Sequence, residues 1–325
     1  MTPPDSTRRQ IVILGAGAIG SVYGAKLSQH HDVTLVGGAA HVEAIQRDGL
    51  RFQGLLSGTL RLPAVTRLEK IDPGTLILLT TKVNNNVAAV APIVPLLPRG
   101  GVTIVCVQNG LYSEDLVKDL VGDRALVLRA ITQVGGVLVG PGFVDHTVAG
   151  YTLLEQHAES PSIAAVLTGA GLDGRIIPDI KKEMWRKVIF NCVINPTTSL
   201  LSCDVGGIVD PQLNGLKRQI IDECLAVAKA DGVTFDDLSA ESAAAQADDF
   251  VALIDRVFAG ARTIASMRQD LMKGRATEID HMNGAVARLG AQFGLTCPVN
   301  TALTTMIKYL EARPLGQSGP DLARR

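Results

Sequence analysis

Three polar side chains stand four residues apart in the mostly apolar stretch MWRKVIFNCVINP, residues 184–196: Lys187, Asn191 and Asn195. If the stretch is helical, this spacing places all three on one slowly drifting stripe of the helix surface. Apolar neighbours desolvate a lysine, which lowers the pKa of its ammonium group and eases proton donation near neutral pH. Such a lysine suits the reduction of a ketone, because it can polarise the carbonyl group and protonate its oxygen.

A purely structural role is the alternative for the same three residues. Lys187 could extend to solvent while the asparagines satisfy neighbouring backbone groups. Pro196 predicts that the helix ends directly after the stripe, which would leave Asn195 at a helix terminus. The residues alone leave both alternatives open.

A second polar cluster lies in SMRQDLMKGRATEIDHMNG, residues 266–284. Ser266 stands on a predicted helix that ends at Lys273 and Gly274. Thr277 with Asp280 resembles a capping box that begins the next helix. Glu278 would then lie in the first turn, where the helix dipole favours its charge, and this is its structural explanation.

The stretch IVILGAGAIGSVYGAKL has the pattern GxGxxG directly after an apolar strand and at the start of a helix. Its glycines suit a tight turn, close approach to a pyrophosphate, and close packing of helix on strand. The amides of the turn and the positive end of the helix dipole then bind phosphate groups. A structural turn is the alternative. The predicted cofactor-binding residues of this loop are Gly15, Ala16, Gly17, Ala18, Ile19 and Gly20.

The ends of two further strands bear on the predicted dinucleotide site. VCVQNG closes an apolar strand with Asn109, at the carboxyl edge where α/β sheets bind ligands; a plain turn is the alternative. The strand DVTLV ends at Gly37 and Gly38, where an acidic residue usually selects NAD and an arginine selects NADP. Since neither is present, this position leaves the phosphorylation state open. His41 and Arg51 are nearby and could help, although each also suits an ordinary helix surface or strand end.

The predicted strands and helices that carry these residues fall into two parts of the chain. Apolar strands alternate with helical segments in the first half, which predicts a parallel α/β sheet. After Arg124, short strands broken by Gly and Pro predict an antiparallel extension of that sheet. From about Pro178 onward, helical periodicity replaces the strands. We therefore predict a dinucleotide-binding Rossmann domain over residues 1–178, an all-helical domain over residues 179–325, and a disordered tail, GQSGPDLARR.

Composition excludes several classes of function. Lys plus Arg, 31 residues, nearly balance 32 Asp plus Glu, so no overall field recruits nucleic acid or an anionic membrane. The N-terminus lacks an apolar signal core, and no later run reaches the roughly 20 apolar residues of a membrane span. A cytoplasmic location is therefore expected. The five scattered cysteines lack zinc-like spacing, so no metal site is predicted.

The ordered series of motifs resembles the ketopantoate reductases, the NADPH-dependent 2-dehydropantoate 2-reductases, over roughly residues 10–312. The series comprises ILGAGAIGSVYGAKL, TTKV, QNG, GPGFVDHT, EMWRKVIFNCVINPTTSL, SMRQDLMKGRATEIDHMNGAV and PVN. The resemblance implies a Rossmann domain followed by a helical domain like that of 6-phosphogluconate dehydrogenase. It also implies reduction of 2-dehydropantoate to pantoate by hydride transfer from NADPH, in pantothenate biosynthesis.

The resemblance also implies a role for each site residue. Lys187 matches the proton donor of the family, and Glu278 matches a glutamate that contacts the bound ligands, so both are catalytic candidates. Lys82 matches a lysine near the cofactor, and Asn109 an asparagine between the nicotinamide and the substrate. The residues implied in substrate binding are Asn109, Lys187, Asn191, Asn195 and Ser266.

Two departures from the family pattern keep other functions open. Gly38 stands where many members have an arginine for the 2′-phosphate, so NADH is an alternative to NADPH. Val205 stands where a substrate-binding asparagine occurs, so another 2-keto or 2-hydroxy acid is an alternative substrate. A non-catalytic dinucleotide sensor is a third hypothesis, and a homodimer through the helical domain is one hypothesis for assembly.

Overall fold

The computed structural model describes residues 8–235 and 243–313 of the 325-residue chain. The chain divides into two compact units, residues 1–180 (the N-terminal unit) and residues 181–325 (the C-terminal unit). The tail GQSGPDLARR, residues 316–325, lies outside the described residues.

Strands in the described residues are confined to the N-terminal unit and form two sheets. They are β1 Gln10–Leu14, β2 Asp32–Val36, β3 Leu50–Gly54, β4 Gly58–Leu60, β5 Ala64–Val65, β6 Leu76–Leu79, β7 Thr103–Cys106, β8 Leu126–Thr132, β9 Gly135–Gly140, β10 Phe143–Val148, β11 Thr152–Glu155 and β12 Gly174–Ile177.

Helices occur in both units. They are α1 Ala18–Leu27, α2 Ala39–Asp48, α3 Asn86–Val90, α4 Ser113–Val121, α5 Ser160–Gly169, α6 Ile180–Leu200, α7 Asn214–Ala230, α8 Ala243–Phe258, α9 Ser266–Met272, α10 Asn283–Gln292 and α11 Pro298–Glu311. Short 3₁₀ helices lie at Val83–Asn85, Ala91–Leu96, Gly122–Arg124, Val205–Val209, Pro211–Leu213 and Ile279–His281.

The main sheet has the order β5-β2-β1-β6-β7-β8-β11-β12, and its strands from β5 to β8 are parallel. This is the Rossmann arrangement, so the predicted fold class is confirmed: a Rossmann domain followed by a helical domain. β1 has β2 on one side and β6 on the other, so the strand order reverses at β1. Ligands of such sheets bind at the carboxyl ends of the strands that flank this switch point.

Alternation along β1 explains why its run is apolar throughout. Ile11 and Ile13 belong to one buried cluster with Tyr23 of α1, whereas Val12 and Leu14 belong to a second cluster. Side chains of a strand alternate between the two faces of its sheet, and both faces here are covered. Burial on both faces therefore fixes the position of the end of β1, from which the glycine loop emerges.

The predicted antiparallel extension after Arg124 is only partly correct. β11 does pair antiparallel with β8 in the main sheet. β9 and β10, however, form a hairpin that joins a separate four-stranded sheet, in which β10 runs parallel to β3. The partner strand β3 lies about ninety residues earlier in the chain, and local periodicity carries no information about that pairing.

The predicted end of helix α6 at Pro196 is wrong, because the helix continues to Leu200 with Pro196 inside it. Proline has no amide hydrogen, so the carbonyl of Cys192, four residues earlier, loses its helical donor. The Nδ2 of Asn283 donates a hydrogen bond to this carbonyl at 3.0 Å. A side chain 91 residues away thus satisfies the group that the proline leaves unpaired.

We expect Asn283→Leu to lower the free energy of unfolding by about 1–3 kcal/mol, the cost of leaving a buried acceptor unsatisfied. Asn283 is fully buried, and its Nδ2 also donates to Oδ1 of Asn300 at 2.9 Å. Adding Pro196→Ala to this variant supplies a backbone amide for Cys192 and should restore part of the loss. Thermal and chemical denaturation of both variants measure the effect. If the double variant loses at least as much stability as Asn283→Leu and Pro196→Ala do separately, added together, this explanation is contradicted.

Trp185 and Lys181 anchor α6 within the C-terminal unit. The indole Nε1 of the fully buried Trp185 donates to Oδ2 of Asp231 at 2.8 Å. Lys181 Nζ lies 3.0 Å from Oδ1 of the same carboxylate. Asp231 follows α7, so these contacts set the rotation of α6 and therefore the direction of its polar stripe.

Candidate functional site

Gly15 and Gly20 shape the loop between β1 and α1 for steric reasons. Gly15 has φ +116°, and a Cβ there would lie 2.5 Å from the backbone nitrogen of Thr81. A Cβ at Gly20 would collide with the carbonyl oxygen of Gly15 and would lie 2.9 Å from the side chain of Ile13. Both glycines therefore let the helix and the loop pack closely on β1 and on the segment after β6, as the sequence predicts.

Gly17 differs from these two glycines because the space beside it is open. Its φ is −77°, and a Cβ built there would have no heavy atom within 4 Å. Gly17 is the N-cap of α1, whose first turn carries no acidic residue. The amides of Ala18, Ile19 and Gly20 have no acceptor within the helix. An open approach to these amides fits the pyrophosphate of a dinucleotide.

The end of β6 contacts the glycine loop directly. The amide of Thr80 donates to the carbonyl of Leu14 at 2.9 Å, and Thr80 Oγ1 donates to the carbonyl of Gly15 at 2.8 Å. Two residues later, the half-buried Lys82 is the N-cap of the short helix Val83–Asn85. The structure therefore brings Lys82 and the glycine loop to neighbouring strand ends, at the switch point of the sheet.

Asn109 follows β7, the next strand of the same sheet, and is half-buried. The preceding Gln108 is buried, and its Nε2 donates to the carbonyl of Thr81 at 2.8 Å. Asn86 Nδ2 donates to Gln108 Oε1 at 3.1 Å. Side-chain hydrogen bonds thus join the loop that carries Asn109 to the segment that carries Lys82.

His41 and Arg51, which lie near the end of β2 in the sequence, both have partners in the N-terminal unit. His41 is buried, accepts a hydrogen bond from the amide of Gly142 at its Nδ1, 3.0 Å away, and has Nε2 3.2 Å from Ser21 Oγ. Burial lowers the pKa of His41, so the neutral imidazole is favoured. The guanidinium of Arg51 lies over the ring of Phe143 at 5.1 Å. His41 is therefore held inside the unit, whereas Arg51 is exposed beside Phe143.

Helix α6 presents the predicted stripe in the C-terminal unit. Lys187 and Asn191 are half-buried, and Asn195 is buried with its Nδ2 3.4 Å from Sδ of Met282. Because Met282 and Asn283 both contact α6, the segment that begins at Glu278 lies against this helix. Ser266 is the exposed first residue of α9, and its assignment to the substrate depends on the sequence resemblance alone.

The capping box predicted for Thr277 and Asp280 does not form. Thr277 Oγ1 accepts from the amide of Ile279 at 3.2 Å and donates to Oε1 of Glu311 at 2.6 Å. Asp280 instead pairs with Lys308, 2.8 Å away. A 3₁₀ helix, Ile279–His281, occupies the predicted first turn, so Glu278 lies before it as a buried N-cap residue. Partners on α11 therefore hold the segment on both sides of Glu278.

Sequence reasoning missed the buried polar residues that support these candidates. Gln108 and Asn86 are almost fully buried, and so are Arg129 and Ser113. The sequence does contain a signal that could have identified them: a polar residue within or beside an apolar element, such as the arginine in the strand LVLRAIT. Glu311 is the last residue of α11, and nothing in its sequence neighbourhood marks it as a partner of Thr277.

Within the described residues, no group of three or more His, Cys, Asp or Glu side chains is arranged to hold a metal ion. Over the same part of the chain, no helix is both long enough and apolar enough to cross a membrane. The five cysteines are unpaired thiols, and all of them except Cys203 are buried.

Comparison with known proteins covers both units. Residues 11–159 match the family model "Ketopantoate reductase PanE/ApbA", and residues 179–311 match "Ketopantoate reductase PanE/ApbA C terminal". The 2-dehydropantoate 2-reductase of Pyrococcus horikoshii is 30% identical over 93% of this chain and 98% of its own. A PanE/ApbA family ketopantoate reductase from Ralstonia eutropha is similar in structure, with a TM-score of 0.82, 28% identity, and coverage of 94% of this chain and 99% of its own.

A structure of D-mandelate dehydrogenase with NADH and anilino(oxo)acetate is equally similar. Its TM-score is 0.84 and its identity is 27%, over 93% of this chain and 98% of its own. The matches extend through the glycine loop, the α6 stripe and the segment around Glu278. The chain belongs to the ketopantoate reductase family of oxidoreductases.

Proposed function

We propose that this protein reduces a 2-keto acid with a nicotinamide dinucleotide, and that the substrate is 2-dehydropantoate, in pantothenate biosynthesis. One observation carries the proposal: the stripe of Lys187, Asn191 and Asn195 lies on the same helix that contacts the segment after Glu278. The proposal assigns the proton donor, the amide groups and the carboxylate to the C-terminal unit, and the dinucleotide loop to the N-terminal unit. When bound, the dinucleotide supplies the hydride.

The residues of the N-terminal unit bind and orient the cofactor. The amides of Ala18, Ile19 and Gly20 donate to the pyrophosphate, which approaches closely because Gly17 lacks a side chain. Lys82 and Asn109, after the ends of β6 and β7, would help to hold the dinucleotide at this edge of the sheet. Their backbones are held by the hydrogen bonds of Thr80 and Gln108.

The residues of the C-terminal unit act on the substrate. Lys187 donates its Nζ proton to the carbonyl oxygen, which would otherwise develop negative charge. The amide side chains of Asn191 and Asn195 bind hydroxyl and carboxylate oxygens, and the Ser266 hydroxyl binds the carboxylate. Glu278, held by the contacts of Thr277 and Asp280 with α11, orients Lys187 and the bound ligands.

A different 2-keto or 2-hydroxy acid is the second candidate substrate, and Val205 supports it. Val205 is buried, and its amide donates to the carbonyl of Thr263 at 2.8 Å, so the residue offers only an apolar side chain. The similarity to D-mandelate dehydrogenase points in the same direction. An apolar residue at this position would tolerate a substrate that carries an apolar group there.

Steady-state kinetics with a panel of 2-keto acids tests the proposal. The panel contains 2-dehydropantoate, benzoylformate and branched 2-keto acids, each assayed with NADPH and with NADH. We expect the highest kcat/KM for 2-dehydropantoate. A higher value for benzoylformate would favour the second candidate. Tight dinucleotide binding without turnover of any keto acid would indicate a sensor and would refute the proposal.

Gly38→Arg should raise the preference for NADPH over NADH. We propose NADPH as the cofactor of the wild-type protein, with NADH as the alternative. Gly38 has φ −67° and no heavy atom within 4 Å of a Cβ position, so a side chain fits there without strain. An arginine at the end of β2 can bind a 2′-phosphate through charge-assisted hydrogen bonds worth about 1.5–3 kcal/mol. The ratio of kcat/KM for the two cofactors should therefore rise about tenfold or more.

Gly38→Glu is the matched control for this substitution. It occupies the same open position but carries the opposite charge, so it should shift the preference toward NADH. Equal changes for both cofactors in either variant would show that Gly38 does not face the ribose. A change in thermal stability would show that the position is less open than the structure indicates.

A further inference from the structure

An arginine buried within the sheet is the most unusual charged group of the N-terminal unit. Arg129 lies in β8 between the buried residues Leu128 and Ala130, and its side chain is 2% exposed. Its ion-pair partner is Glu114 in the first turn of α4, 3.0 Å away. Burying an ion pair removes water from both charges, and the attraction between the charges often does not offset this cost. The pair is therefore weak evidence that Arg129 stabilises the fold. The contacts of the guanidinium indicate another role.

The guanidinium of Arg129 holds the loop after β7 at several points. Its Nη2 donates to the carbonyl of Gln108 at 2.7 Å and to the carbonyl of Gly110 at 3.0 Å. Its Nη1 donates to Ser113 Oγ and to the Glu114 carboxylate. The two carbonyls stand immediately before and after Asn109. Arg129 therefore fixes the backbone on both sides of this residue.

The same network continues to the end of β6. Besides its bond to the Thr81 carbonyl, Gln108 Nε2 lies 3.1 Å from Thr81 Oγ1. Asn86 Nδ2 donates to Gln108 Oε1 and, at 3.2 Å, to the carbonyl of Ser113. Thr81 directly precedes Lys82. One connected set of buried polar groups therefore links the backbones beside Asn109 and Lys82.

We propose that Arg129 is a positioning residue that holds Asn109 and Lys82 in the geometry required for binding the nicotinamide dinucleotide. The inference rests on the proposed function of the chain as a dinucleotide-dependent reductase. A guanidinium suits this task because its planar donors can reach two carbonyls and a carboxylate at once, whereas a lysine ammonium has no such fork. Glu114 balances the charge and anchors the opposite side of the group.

The central test uses the double variant Arg129→Met with Glu114→Gln, which removes both buried charges together. We expect the dinucleotide Kd, measured by titration of NADPH or NADH fluorescence, to rise about tenfold. We expect kcat on the best keto acid of the panel to fall about 10- to 100-fold, because a displacement of roughly 1 Å can cost about 100-fold. The exposed pair Arg175 and Asp173, replaced as Arg175→Met with Asp173→Asn, is the matched control and should change neither value.

A second measurement separates positioning from general destabilisation. In an Asn109→Ala background, the Arg129 and Glu114 substitutions should add less than about threefold to the loss, because the residue through which they act is already absent. Arg129→Lys keeps the charge beside Glu114 but loses the fork, so it should show an intermediate loss with near-normal thermal stability. If the double variant does not fold, Arg129→Lys still shows whether Arg129 acts by positioning or only by stabilising the fold.

Losses that multiply with Asn109→Ala would overturn the inference, and so would wild-type Kd and kcat in the double variant or in Arg129→Lys. If the wild-type protein reduces no keto acid of the panel, the proposed function fails. The dinucleotide Kd of the variants then still decides whether Arg129 positions the cofactor-binding loops. The two failures are therefore distinguishable.

Discussion

Lys187→Ala is expected to lower kcat about 10²- to 10⁴-fold, the usual contribution of general acid–base catalysis. Alanine removes the Nζ proton that we assign to the carbonyl oxygen of the substrate. The dinucleotide Kd should change little, because we assign Lys187 to the carbonyl oxygen of the substrate and the phosphate contacts to the amides of the glycine loop. Steady-state kinetics on the best keto acid and fluorescence titration of the dinucleotide measure the two effects.

Two further variants separate proton donation from a charge effect. Lys187→Arg keeps a positive charge, but a guanidinium does not release its proton in this pH range, so the variant should stay nearly as slow as Lys187→Ala. Lys229→Ala removes an exposed lysine near the end of α7 and should behave as the wild type. Near-normal turnover by Lys187→Ala would refute the assignment of the proton donor.

Gly17→Ala is expected to weaken dinucleotide binding about 10- to 100-fold without disturbing the fold. The unliganded protein has room for the added methyl group, since no heavy atom lies within 4 Å of its position. A bound pyrophosphate would occupy that space. Forcing extra atoms into a close-packed contact costs about 1–3 kcal/mol, and each 1.4 kcal/mol is tenfold in Kd. Fluorescence titration measures the Kd, and thermal unfolding checks the fold.

Two other glycines provide the comparison for Gly17. Gly140→Ala, at the end of β9, also places a methyl group in open space and should leave both stability and Kd unchanged. Gly20→Ala should reduce stability itself, because its methyl group would collide with the carbonyl oxygen of Gly15. Unchanged dinucleotide affinity in Gly17→Ala would show that phosphates do not approach the loop at this residue.

Features encoded by neighbouring residues were predictable from the sequence. The order of strand, glycine turn and helix around Gly15 is local, and both the turn geometry and the open side at Gly17 agree with it. The four-residue spacing of Lys187, Asn191 and Asn195 fixes their common side on any helix. The roles of these residues remain proposals, because spacing specifies where side chains point and not what they bind.

Features that depend on distant partners were predicted wrongly or missed. Helix α6 passes Pro196 because Asn283 supplies the missing hydrogen bond. Thr277 bonds to Glu311, 34 residues away, and this contact displaces the expected capping box. In each case the local rule identified a polar group that needs a hydrogen-bond partner. It could not identify the partner, because that partner belongs to a distant segment of the chain.

The sequence by itself determined the class of the protein and the residue types of its candidate site: a parallel sheet with a glycine loop, a helical second unit, and a lysine and asparagine stripe. Periodicity and turn chemistry encode these features over a few residues. Only the tertiary structure decided which buried polar groups meet, as in the four hydrogen bonds of Arg129 to Gln108, Gly110, Ser113 and Glu114. A buried polar group must find partners wherever the fold places them, and folding brings together segments that are far apart in the chain.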